Sequence, residues 1–224
     1  MSIVPRYAGN GKWYQTPRGY LVSAGKVVST LTGETFDHIP LDTLKMAEQE
    51  GTGAHRIGCD LALLKLGHLE QVPVPDMPVD YPGSQARWVD AMARAHVDLL
   101  QWFEEYEVEP IAVEEPSTNY AYGFAGCPDL KAWYKPKRAK RKRMGVFDYK
   151  RVAAVGIGHR LKLLIYKTLD GYKDCEHGVI VWIKKEGGIT PIPVPSSPSD
   201  EAALLGQAAA IRWQQMHGYL KAPV

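Results

Sequence analysis

An α/β fold, with a mixed central β-sheet flanked by α-helices, is predicted by three features of the 224-residue sequence. Stretches whose apolar residues recur at helical spacing are interleaved with short runs of strand character. Connections rich in glycine or proline separate them, as at Gly51-Thr-Gly53 and at Pro73, Pro75, Pro78 and Pro82. With 45% hydrophobic and 23% charged residues the chain has material for one sizeable core. A single domain is therefore expected: a lead-in over residues 1–26, a core over 27–169, and a hairpin and helix over 170–224.

The lead-in, rich in Gly, Pro and aromatics, reads as loosely structured and packed on the core through Trp13, Tyr14 and Tyr20. Within it Gly9-Asn-Gly11-Lys12 suggests a phosphate loop, but Arg6 stands where the first glycine belongs and Trp13 where a Ser or Thr would hold Mg²⁺. An NTP-driven motor is not supported. Helical spacing over 41–50 and again over 52–69 predicts two helices broken at the glycines, with His55 in the first turn of the second. There His55 is either a surface or capping histidine, or a side chain looking out of the helix end. Ser84 caps a long helix to about residue 107, with Trp88, Val89, Met92, Leu99, Leu100 and Phe103 as its buried stripe. A strand follows over 110–116, and its period of two puts Glu114 and Glu115 on opposite faces. Glu114 is the choice for the inner face from its spacing to Asp129, with Glu115 close behind.

The chemistry-bearing stretch runs from Gly123 to Arg151 and reads as two short strands joined by a basic connection. Val146, Asp148 and Lys150 share one face of the second strand, and Asp129 lies near them if the strands pair antiparallel. Two carboxylates at a sheet end suit a hard divalent cation such as Mg²⁺, and a lysine beside them can act on an attacking water or offset charge on phosphorus. The connection, Lys135-Pro-Lys137-Arg138-Ala-Lys140-Arg141-Lys142-Arg143, carries seven positive charges in nine residues. It suits contact with phosphate, though a solvated tip or a nuclear-import signal has the same composition. Trp133, Tyr134 and Tyr149 flank it and suit either base stacking or packing. A helix over 159–169 then buries Leu161, Leu164, Ile165 and Leu169 and presents His159, Lys162 and Tyr166 on an adjacent face. A hairpin over 178–194 turns at Glu186-Gly-Gly188, with prolines marking an edge strand. Ser199-Asp200 begins a final helix to about residue 219 that packs through Ala, Leu, Ile211 and Trp213.

Taken in order, these pieces resemble the signature of the PD-(D/E)xK nuclease superfamily, in its RecB-like and phage exonuclease branch. Gly126-Cys-Pro-Asp129 stands where that branch carries G-x-x-D, and Val146-Phe-Asp148-Tyr-Lys150-Arg151 where a hydrophobic strand ends in D-x-K-T. Gly51-Thr-Gly53-Ala-His55 is similar to the upstream G-x-x-H element, and Val113-Glu114-Glu115-Pro116 to the acidic strand before the first aspartate. The resemblance spans residues from about 27 to 169. It implies a restriction-endonuclease-like nuclease core and a DNA exonuclease dependent on Mg²⁺ or Mn²⁺. Asp129 and Asp148 would hold the metal with help from His55, Glu114 and the Tyr149 backbone carbonyl, and Lys150 would act on the water. Where the branch often has Q-x-x-x-Y, Lys162 replaces the glutamine and Tyr166 is retained; both are carried as DNA-binding residues with Lys135, Lys137, Arg138, Lys140, Arg141, Lys142 and Arg143. DNA is the implied partner, and the resemblance leaves room for a homo-oligomer and for a recombination partner protein in a bacterial or phage-infected cytoplasm.

Other function classes are weighed against this. A net charge of +2 does not by itself indicate nucleic acid. Cys59, Cys127 and Cys175 are too scattered for a disulfide framework, a zinc ribbon or an iron–sulfur cluster, and they fit a reducing cytoplasm. No apolar run is long enough for a membrane span. Two readings remain open beside the exonuclease: a structure-specific endonuclease or resolvase using the same residues, and an inactive nucleic-acid-binding module.

Overall fold

The structure, a computed structural model, describes residues 7–8, 13–33, 39–195 and 197–221; residues 9–12, the rejected phosphate loop, lie outside them. In chain order these form β1 (Tyr7–Ala8), β2 (Trp13–Thr16), β3 (Gly19–Ser23), α1 (Ala24–Thr32), α2 (Leu41–Lys65), α3 (Gln85–Glu105), β4 (Glu109–Val113), β5 (Ser117–Asn119), β6 (Phe124–Gly126), β7 (Leu130–Tyr134), β8 (Arg143–Lys150), α4 (Ile157–Lys167), β9 (His177–Ile183), β10 (Ile189–Val194) and α5 (Pro198–Met216).

The central sheet has the order β10-β9-β8-β7-β4 and is mixed: β8 and β9 are parallel, and every other neighbouring pair is antiparallel. β8 lies in the middle and is covered on both faces, so Val146, Phe147, Asp148 and Tyr149 are all buried. Phe147 and Tyr149 face α2 and α3, where Trp102 packs edge-on against both at 5.7 and 6.3 Å. Val146, from the other face, joins Leu161 and Leu164 of α4 and Leu204 of α5. Complete burial of Phe147 contributes about 1.5–3 kcal/mol. The β9–β10 hairpin turns where expected, with Gly187 and Gly188 at φ +105° and +84°, and β10 with its two prolines is an edge.

Four sequence expectations change. The lead-in is ordered structure over residues 13–23: β2 and β3 pair antiparallel, Gly19 turns at φ +100°, and Thr16 Oγ1 donates to its carbonyl at 2.7 Å. Together with β1, β6 and β5 they build a second sheet in which β3 and β6 run parallel. The two helices at 41–50 and 52–69 are one 25-residue helix, α2. Its glycines serve packing rather than a break: a Cβ on Gly53 would lie 2.5 Å from Met92 Sδ and 2.9 Å from the Trp88 ring, and one on Gly58 would lie 2.8 Å from the Tyr149 ring. Each glycine costs the helix about 1 kcal/mol, which tertiary contact offsets. On α3, capped by Ser84 as expected, Val89 and Leu100 are exposed while Ala91, Ala95 and Trp102 complete the buried stripe. On α5, Leu204, Ala208 and Ile211 are buried, but Trp213 is exposed and stacks on Tyr219.

Candidate active site

β7 and β8 pair so that Leu130 lies opposite Phe147, which brings Asp129, one residue before β7, to the end of the sheet where β8 finishes with Asp148, Tyr149 and Lys150. Asp129 is fixed there because its Oδ2 accepts the Tyr149 backbone N–H at 2.7 Å. That end of the sheet opens into a cleft of about 330 Å³ whose lining includes His55, Asp129, Tyr149, Lys150, Arg151 and Lys162. α2 borders one side and α4 the other.

On the α4 side Asp148 is fully buried between two ammonium groups. Lys162 Nζ donates to its Oδ1 at 3.0 Å, and Lys150 forms an ion pair with Oδ2. Lys150 also donates to the Tyr149 carbonyl at 3.0 Å. Burial pushes the Asp148 carboxyl upward, but the charges and hydrogen bonds of Lys150 and Lys162 outweigh it and hold the group below the usual carboxylate range. Burial likewise lowers Lys162, and Asp148 more than reverses this, so its ammonium stays charged.

On the α2 side the charge balance is the reverse. His55 Nε2 lies 3.4 Å from Asp129 Oδ1 and 3.8 Å from Glu114 Oε1. Burial lowers the imidazole pKa, but the hydrogen bond and charge of Asp129 and the charge of Glu114 raise it above its ordinary value. Glu114 follows β4 with φ +47°, in the left-handed region that costs a residue with a Cβ about 1 kcal/mol or more, and its N–H donates to the Asp129 carbonyl at 3.1 Å. This strained turn brings its carboxylate, rather than that of Glu115, toward His55; Glu115 is held through its carbonyl by Tyr172 Oη at 2.7 Å. Below the cleft Arg151 Nη1 donates to Glu50 Oε2 at 2.5 Å, and Tyr81 Oη and Arg87 Nε donate to Glu50 Oε1 at 2.7 and 2.8 Å.

Thus Asp129, Asp148, Lys150, Glu114, His55 and Tyr149 are brought together, with His55 reaching the site from the middle of α2 rather than from a helix start. The expected DNA contacts are not. The 135–143 connection joins the opposite ends of β7 and β8, roughly 20 Å from the cleft at about 3.3 Å per residue. Its charges are drawn into local ion pairs: Lys135 with Glu107, Lys137 with Glu105, Arg141 with Glu176, and Lys142 with Glu109. Arg143 Nη1 meets His177 Nε2 at 2.8 Å, while Arg138 and Lys140 are exposed. Lys162 turns to Asp148 instead of outward. Tyr166 is buried, with its ring where a Cβ on Gly126 would be, at 2.7 Å. Sequence reasoning missed Cys59, buried at 1% exposure, whose Sγ lies 3.5 Å from His55 Nε2. The available signal was its i+4 spacing from His55 on one helix. Burial, then Glu114 and Asp129, push its thiol far up.

No family model matches the chain, and no curated protein does. Among solved structures, SSO0001 is similar at 15% identity, covering 89% of this chain and 85% of that one, with a TM-score of 0.34. LHK-Exo in complex with dAMP is similar at 11% identity, covering 78% of this chain and 92% of that one, with a TM-score of 0.39. The chemistry of the cleft is therefore read from its own atoms.

Proposed function

We propose that the chain is a divalent-metal-dependent nuclease that hydrolyses DNA phosphodiester bonds, acting as an exonuclease on free ends. The observation that carries this reading is the meeting, at one sheet end, of Asp129, Asp148 and Lys150 with His55 and Glu114 across the same cleft. The donor set fits a hard divalent cation: the Asp129 and Glu114 carboxylates approach one imidazole nitrogen, and the Asp148 carboxylate and the Tyr149 carbonyl stand at the same sheet end. Mg²⁺ or Mn²⁺ held by Asp129, Asp148 and the Tyr149 carbonyl, with His55 and Glu114 adjoining, would supply Lewis-acid polarisation of the scissile phosphate. The protein's own contributions are separable from that. Lys150, tethered by Asp148 and the Tyr149 carbonyl, presents an ammonium that orients a water and offsets charge gathering on phosphorus. Asp129, locked by the Tyr149 N–H, fixes the spacing of the acids. The buried Arg151–Glu50 pair holds the end of β8 against α2.

The test is digestion of end-labelled linear duplex beside a closed circle, with Mg²⁺, with Mn²⁺ and with chelator, comparing wild type with Lys150→Ala. Metal-dependent loss of the linear DNA alone, abolished by the substitution, is the expected result, and the label released first gives polarity. Cleavage of the circle would assign an endonuclease instead. Absence of cleavage with salt-sensitive DNA binding retained would leave a binding module and overturn the mechanism.

A further inference from the structure

We infer that His55, Cys59 and Glu114 form a binding site for a borderline-soft divalent ion of the zinc and cobalt class, overlapping the hard-cation site but defined by a different donor set. Two of the residues come from α2 and the third from the turn after β4, and one ligand atom of each lies within 4.8 Å of the others. His55 and Cys59 are one helical turn apart on the same face of α2, a spacing that points two side chains at one ion. A tetrahedral ion about 2.0 Å from an imidazole nitrogen and about 2.3 Å from a thiolate sulfur holds those atoms about 3.5 Å apart. The distance from His55 Nε2 to Cys59 Sγ is 3.5 Å. Glu114 Oε1, 3.8 Å from the same nitrogen on a half-exposed side chain, is the third donor. Asp129 Oδ1, 3.4 Å from Nε2, or a solvent molecule can take the fourth position.

Chemistry selects the ion. A thiolate contributes little to Mg²⁺ but strongly favours zinc, whereas the oxygen-rich half around Asp148 has the opposite preference. Binding replaces the thiol proton of Cys59, which leaves to solvent, by a metal–sulfur bond, and no electron is transferred. Because the soft ion takes His55 and Glu114, it competes with the hard cation; this consequence rests on the proposed nuclease function, while the binding itself does not.

Titration of the metal-free full chain with Co²⁺ reads the site directly, through the sulfur-to-cobalt charge-transfer absorption in the near ultraviolet. The band is expected to saturate at a single equivalent, to bleach when Zn²⁺ is added, to persist in Cys127→Ser and Cys175→Ser, and to vanish in Cys59→Ser with the circular dichroism unchanged. His55→Ala, at a partly exposed position, should weaken the band and guards against a Cys59 variant that does not fold. A wild type without the band, or a band that survives Cys59→Ser, overturns the site. In a separate arm, the Zn²⁺ concentration that halves Mg²⁺-supported cleavage is expected to rise roughly tenfold or more in Cys59→Ser. A band without cleavage under any condition would count against the nuclease and for the site; cleavage without a band would do the reverse.

Discussion

The two sides of the cleft hold similar groups in opposite balance. On the α4 side a single carboxylate, Asp148, is matched by two ammonium groups, so an anion has already been compensated within the protein. On the α2 side two carboxylates, Asp129 and Glu114, converge on one imidazole, leaving an excess of negative charge near solvent. If the proposed function holds, an incoming dication would be drawn first to the α2 side, and would reach Asp148 only by displacing an ammonium. Under that reading internal cations and external ones are alternatives at this site, and the lysines would set how tightly metal is held.

The largest expected effect breaks the comparison at its centre. Asp148→Ala and Asp129→Ala should each lower metal-dependent cleavage at least a hundredfold. Their effects on stability should differ. Without Asp148, Lys162 is left largely buried and unpaired, at a cost of about 3–5 kcal/mol in urea unfolding. Without Asp129 the charge-assisted bond to the Tyr149 N–H and the contact with the partly exposed His55 are lost, but no buried charge is stranded, and the cost is about 1.5–3 kcal/mol. Equal destabilisation would mean that the two sides are not electrostatically distinct.

A second prediction uses the buried Glu50–Arg151 pair beside the cleft as contrast. Burial raises the Glu50 pKa, but Tyr81, Arg87 and Arg151 more than reverse this and hold it below its usual value of 4.5. A group depressed in the folded state contributes stability that is present above the unfolded pKa and is lost as pH falls through the folded one. Wild type should therefore lose stability below about pH 4.5, and Glu50→Gln should flatten that limb of the urea-midpoint profile. Glu50→Ala should cost about 3–5 kcal/mol at neutral pH by stranding Arg151. The smallest effect sharpens the comparison. Lys162→Met should tighten Mn²⁺ binding, measured by calorimetry or electron paramagnetic resonance, roughly tenfold, because one competing charge is gone. Weaker binding would mean that Lys162 orients Asp148 for metal rather than taking its place.

What the sequence showed best was what depends on near neighbours. The two-residue period put Asp148 and Lys150 on one face of β8, and antiparallel pairing with β7 brings Asp129 to the same end. The mixed sheet, the Ser84 cap and the Gly187–Gly188 turn were legible for the same reason. What it hid depends on distant partners. The basic run looked free for phosphate because Glu105, Glu107, Glu109 and Glu176, which neutralise much of it, lie about 30 residues away in either direction. Gly51 and Gly53 looked like a helix break because the rings and sulfur that fill the space beside Gly53 and Gly58 belong to α3 and β8. Lys162 was placed beside the site only through the resemblance, and its turn inward follows from a full negative charge buried 14 residues upstream.

Because α2 passes the cleft without interruption, His55 and Cys59 have no hinge of their own. They ride on a stiff rod whose distance from the sheet is gauged by Gly58 lying against the Tyr149 ring, whose Oη donates to the Gly58 carbonyl at 3.3 Å. Tyr149 is also the residue whose N–H positions Asp129 and whose carbonyl anchors Lys150. One aromatic residue thus sets both the distance of α2 from the sheet and the positions of Asp129 and Lys150, so a substitution in the core beneath it would shift both together.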